Sequence, residues 1–163
     1  MSSDYVVVNG AGQKIPNAVF AELMAAVLAR GAPFRFQASG WSMLPFICDG
    51  DVITLSPPPA RLRLGDVAAF VNPYTDRLTV HRVIARQGAG YLIRGDNTPS
   101  QDGLISHAAI LGCVTRVERR GRAMRLGLGP ERLPIAVLSR CDWLIPGVAR
   151  LYPLYRFLFK RCK

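Results

Sequence analysis

Leu78-Thr79-Val80-His81-Arg82-Val83-Ile84-Ala85-Arg86 is a run rich in β-branched residues with no Gly or Pro, and it reads as a strand. Outward from it the same texture repeats. Short apolar, β-branched or aromatic runs at 34–38, 51–56, 66–71, 91–94 and 111–118 are separated by turn chemistry: Asp49-Gly50-Asp51, Ser56-Pro57-Pro58-Pro59, Gly65-Asp66, Asn72-Pro73, Gly88-Ala89-Gly90 and Gly95-Asp96-Asn97. Many short strands at close spacing predict a mainly β, mostly antiparallel domain.

Residues on either side differ in character. Asn17 to Arg30 is rich in Ala and Leu, with Val19, Phe20, Leu23, Met24, Val27 and Leu28 on a helical stripe. Asn17 is placed to cap its start, and Gly31 with Pro33 to end it. At 1.5 Å per residue such a helix is about 21 Å long, too short to cross a bilayer. The expected organisation is an N-terminal segment 1–33 containing the helix, a β domain 34–119, and a basic amphipathic C-terminal helical tail 120–163.

The net charge of +10 is unevenly spread. Residues 1–115 carry nine basic and eight acidic side chains, whereas 116–163 carry twelve and three. From Leu133 the tail mixes Trp143, Leu144, Ile145, Leu151, Tyr155 and Phe159 with Arg150, Arg156, Lys160 and Arg161. That mixture suits an anionic membrane surface better than nucleic acid. Charged residues interrupt every stretch long enough to span, and Pro146 and Pro153 would kink a long helix. Cys48, Cys113, Cys141 and Cys162 form no CxxC pair and do not cluster with His81 or His107, so free thiols are expected and no metal or organic cofactor is implied. Without a basic, then apolar, N-terminal signal pattern, the expected location is cytoplasmic, peripheral at the inner membrane face.

Chemistry concentrates in two places. Ser42 stands in Ser39-Gly40-Trp41-Ser42-Met43-Leu44-Pro45, and His81 lies 39 residues later, with carboxylates beyond it. A serine hydroxyl is a weak nucleophile until a neighbouring base takes its proton, and imidazole titrates near neutrality. No second Gly follows Ser42 at the spacing of a nucleophile elbow, which argues against an α/β-hydrolase.

In order, these segments resemble the signal peptidase and LexA-like serine peptidases of the S24/S26 superfamily over about half the chain. The serine box is similar to Ser39 to Pro45 followed by Asp49-Gly50-Asp51. A Gly-Asp pair opening a strand matches Leu64-Gly65-Asp66-Val67-Ala68-Ala69-Phe70, and the base-bearing box matches Val80-His81-Arg82-Val83-Ile84. The last box matches Arg94-Gly95-Asp96-Asn97-Thr98-Pro99-Ser100-Gln101-Asp102. Many of these enzymes use a Ser-Lys dyad, but Lys14, Lys160 and Lys163 all lie outside the matched stretch. His81 takes the lysine's place before Arg82, as in the archaeal, endoplasmic-reticulum and sporulation-type enzymes.

The resemblance implies a serine endopeptidase acting on a peptide or protein through an acyl-enzyme on Ser42. His81 is then the general base, and Asp102 orients it, with Asp96 as the alternative orienter. The Ser42 backbone N–H is the expected oxyanion donor, while Gly40 stands where some relatives supply a hydroxyl. Two other readings share the scaffold. One is a non-catalytic descendant that binds peptide by strand addition; the other is a LexA-like self-cleaving regulator, with Ala11-Gly12 as its bond.

Overall fold

The computed structural model describes residues 5–7, 14–147 and 150. Strands β1 (Tyr5–Val7) and β2 (Lys14–Pro16) form a small antiparallel pair before helix α1 (Asn17–Ala29). Then come β3 (Phe34–Gln37), β4 (Val52–Ser56), β5 (Val67–Asn72), β6 (Arg77–Gln87), β7 (Gly90–Arg94), β8 (Gln101–Ser106), β9 (Ile110–Arg119) and β10 (Arg122–Met124). Helix α2 (Arg132–Arg140) follows. The main sheet has eight strands in the order β3-β4-β9-β5-β6-β7-β8, with β10 paired to β9. Every pairing is antiparallel, so the mainly β expectation holds.

Strand β5 shows why this sheet needs cover on both faces. Its residues alternate between two cores: Val67 and Ala69 face one, Ala68 and Phe70 the other. The first core collects Phe20, Met24 and Leu28 of α1 with Phe36, Met43, Ile53, Leu55 and Val117. The second collects Leu62, Val83, Tyr91, Ile93, Ile105 and Ile110. A strand buried on both sides has no polar face, which is why Val-Ala-Ala-Phe-Val reads as a continuous apolar run.

Helix α1 departs from its sequence reading in two details. Its N-cap is Pro16, and no side chain caps it, so Asn17 is the first helical residue rather than the cap. Its buried line is Phe20, Ala21, Met24 and Leu28, while Val19 and Leu23 face outward. The helix fits a narrow groove: Phe20 meets Phe34 and Phe36 edge-on at 5.5 and 5.4 Å. At the other end a Cβ on Gly112 would come within 2.9 Å of the Leu28 side chain. Its end follows the expected punctuation, with Gly31 N–H donating to Leu28 O at 2.9 Å and Gly31 at φ +77°.

The cysteines also differ from expectation. Cys113 and Cys141 are free, but Cys48 is disulfide-bonded, and its partner lies outside the described residues. Burial pushes the Cys113 thiol up to about 12, with Asp66 adding to the effect, so it stays protonated. Residues 120–147 do not hang free: Arg132 bonds Asp66 at 2.7 Å and α2 packs on β6. The remainder of the tail, apart from Arg150, lies outside the described residues, as does Ala11-Gly12.

Because Phe20 is fully buried between two aromatic rings, Phe20→Ala is expected to lower unfolding free energy by about 3–5 kcal/mol. Urea denaturation measures it; a change below about 1 kcal/mol would mean the groove collapses around the loss.

Candidate active site

Ser42 lies on the loop between β3 and β4, whose shape is set by carboxylates bonded to backbone amides. Gly40 at φ +105° lets the chain turn, and its N–H donates to Asp49 Oδ1 at 2.8 Å. Asp51 accepts Cys48 N–H at 2.8 Å and both Nε and Nη2 of Arg119, at 2.9 and 2.8 Å. Met43 and Ile47 pin the loop's underside into the first core, and Ile47 N–H closes a helical turn on Met43 O at 3.0 Å. Ser42 is left partly exposed and Trp41 exposed.

His81 and Arg82 are neighbours on β6, and the pleat turns their side chains to opposite faces. His81 Nδ1 lies 2.5 Å from Asp102 Oδ2. An ionised carboxylate only accepts, so the proton of this bond belongs on Nδ1, and in the neutral imidazole Nε2 is then the nitrogen with the free lone pair. Asn72 Nδ2 donates to Asp102 Oδ1 at 3.0 Å, so each carboxylate oxygen has a partner. The imidazole is largely buried, with Phe70 edge-on at 6.5 Å between ring centroids.

Gly95 packs against both the His81 ring and the Ser42 backbone. A Cβ built on Gly95 would stand 2.9 Å from His81 Nε2 and 2.7 Å from Ser42 O. Both groups therefore crowd one point that only a glycine leaves open. The loop after Gly95 fastens the serine loop directly: Asn97 N–H donates to Ser42 O at 2.7 Å, and Asn97 Nδ2 to Trp41 O at 3.2 Å. Thr98 Oγ1 in turn donates to Gly95 O at 3.0 Å.

Asp96 occupies a different place from Asp102. Arg82 grips it with two bonds, Nε to Oδ1 at 2.8 Å and Nη2 to Oδ2 at 2.7 Å, and both side chains are fully buried. Arg82 Nη1 also donates to Gly65 O at 2.9 Å and Gly127 O at 2.8 Å. Burial pushes the Asp96 carboxyl upward, and the guanidinium opposes that shift. With both oxygens taken by Arg82, Asp96 ties loops together, and the contact to His81 Nδ1 is made by Asp102.

The model of the family described as Peptidase S24-like matches residues 10–115, from just before β2 into β9. The chain belongs to the Peptidase S24-like family. No curated protein matches it. The S24-like match covers the serine loop, His81 and Asp102, and it supports a peptidase-type or LexA-like function.

Reading the sequence alone did not single out Asn72, Gly95 or Asn97. Asn72-Pro73 looked like a turn and nothing more, and the demand for glycine at 95 arises only from the approach of two distant segments. Arg82 was visible as the residue after His81, but its burial was not.

Two outcomes follow for the loops around the site. Asp96→Ala strands the Arg82 guanidinium and is expected to destabilise by about 3–5 kcal/mol; equal chemical denaturation midpoints for variant and wild type would refute it. Glu131, whose Oε1 accepts Gly127 N–H and Gly129 N–H at 2.7 and 3.0 Å, is held below the ordinary glutamate range by its own amide and those two, against partial desolvation. A pKa lowered by folding gives stability that is complete above the unfolded value and lost as pH falls through the folded one. Wild type should therefore melt above Glu131→Gln at neutral pH, with the gap closing on acidification.

Proposed function

We propose that this chain is a serine endopeptidase of the histidine-dependent type, with Ser42 as nucleophile, His81 as general base and Asp102 as orienter. The observation that carries the proposal is the bond from His81 Nδ1 to Asp102 Oδ2, with Nε2 beside Gly95, which also packs against the Ser42 backbone carbonyl. A carboxylate on Nδ1 fixes the tautomer that can accept a proton at Nε2 and stabilises the imidazolium once it forms.

In this reading Ser42 Oγ attacks a substrate carbonyl carbon as its proton passes to Nε2. The tetrahedral oxyanion is met by the Ser42 backbone N–H, since Gly40 offers no hydroxyl as a second donor. Collapse breaks the C–N bond, Nε2 returns its proton to the departing amine, and an ester remains on Ser42. Water then gives up a proton to Nε2 as it attacks the ester carbon; collapse breaks the bond to Ser42 Oγ, which takes that proton back from Nε2 as the new acid leaves. Lysine has no part, because none lies between Lys14 and Lys160.

Ser42→Ala is expected to abolish labelling by a fluorophosphonate and every cleavage that the wild type performs. Asp102→Asn should keep the fold but lower turnover about 10³- to 10⁴-fold, because the amide would favour the wrong imidazole tautomer. Wild-type protein that stays unlabelled across the neutral to alkaline range would overturn the reading in favour of a peptide-binding descendant. Intact mass after incubation at raised pH checks for self-cleavage, whose expected result here is a stable full-length chain.

A further inference from the structure

Helix α2 has apolar side chains on both faces. Ile135 and Ala136, with Ser139, are buried against the body. The outward face carries Leu133, Pro134, Val137 and Leu138, all exposed. An ordinary surface helix has a polar outer face. Just beyond the helix Trp143 is 72% exposed, and an amphipathic indole in that position is typical of groups at a lipid headgroup boundary.

The charge around this stripe is mostly positive. Arg125 and Arg140 are exposed and make no ion pair among the described residues. The two carboxylates of the segment are both engaged: Glu131 accepts the Gly127 and Gly129 amides, and Asp142 pairs with Arg94. The sequence onward adds Arg150, Arg156, Lys160, Arg161 and Lys163 with no acid. Among the described residues no helix is long and apolar enough to cross a membrane. An apolar stripe flanked by the unpaired cations Arg125 and Arg140 complements an anionic lipid surface, where aliphatic groups enter the acyl boundary and guanidinium groups meet phosphates.

We infer that the outer face of α2, with Trp143, Arg125 and Arg140, docks this protein on an anionic membrane surface. The docked helix is joined to the candidate active site. Arg94, next to Gly95, donates to Ser139 O at 2.9 Å, pairs with Asp142, and donates to Thr98 O at 2.8 Å. The inference does not depend on the peptidase reading, since the surface is argued from α2 alone.

Flotation of the full chain tests it, using neutral phosphatidylcholine vesicles and vesicles that also contain phosphatidylglycerol. The expected result is flotation with the anionic vesicles only, falling as salt is raised. Val137→Glu with Leu138→Glu should reduce partitioning at least about ten-fold, and Arg125→Gln and Arg140→Gln about five-fold each. These positions are exposed, and unchanged melting would show that the variants fold. In a Trp41→Phe background, Trp143 emission should shift to the blue on vesicle addition. No flotation with either vesicle, or anionic flotation that survives Val137→Glu with Leu138→Glu, overturns the inference. So does a dimer in sedimentation that this double substitution dissolves, because a second copy would then cover the face. Ser42→Ala should float like wild type, whereas fluorophosphonate labelling without vesicles reports separately on the peptidase reading.

Discussion

The fully buried pair of Arg82 and Asp96 is the constraint around which the loops of this molecule are arranged. Removing two charges from water is costly, and only near-ideal geometry with additional hydrogen bonds offsets it. The planar guanidinium meets that demand with two bonds to one carboxylate, two carbonyl acceptors at Gly65 and Gly127, and the Phe46 ring 5.4 Å beneath it. One side chain thus joins β6 to the loop after β7, the loop before β5, the serine loop and the segment leading into α2. A hydrophobic residue of similar volume would fill the space without fixing where any of these loops stand.

Two further arginines repeat the device at the edges of the site. Arg119 on β9 holds Asp51, which in turn orders the amide of Cys48 within the serine loop. Arg94 at the end of β7 holds the carbonyls of Thr98 and Ser139. In each case a strand supplies the fork, and the acceptors lie on loops or, for Ser139, in the last turn of α2. Precision at Ser42 is therefore borrowed from the sheet, since the loop that carries it has no regular structure of its own.

Much of this fold was legible because β-branched runs and turn residues mark strands locally. The strands expected at 34–38, 51–56, 66–71, 78–86, 91–94 and 111–118 all exist, with ends within a residue of those read from the sequence. Strand β8 escaped notice because Gln101-Asp102-Gly103 is polar and flexible, and only Ile105 on it is buried. Its pairing with β7, not its own composition, makes it a strand. The same non-local cause hid the contacts of the candidate site. Motif order pointed to Ser42, His81 and Asp102 as a set, but the crowding at Gly95 and the support of Asp102 by Asn72 depend on segments that meet only after the sheet has curled.

The pleat of β6 separates two jobs that lie one residue apart. His81 faces the cleft and bonds one carboxylate, while Arg82 faces inward and anchors four segments. Replacing the imidazole leaves the Arg82 anchor untouched, so the His81 face can change in one evolutionary step in a scaffold that still folds. An insertion or deletion in β6 has the opposite character, because a shift of one place would exchange the two faces and send a charged fork into the cleft. Among descendants of such a protein, chains that keep the length of β6 but replace His81 should accordingly be easier to reach than chains in which that length has changed.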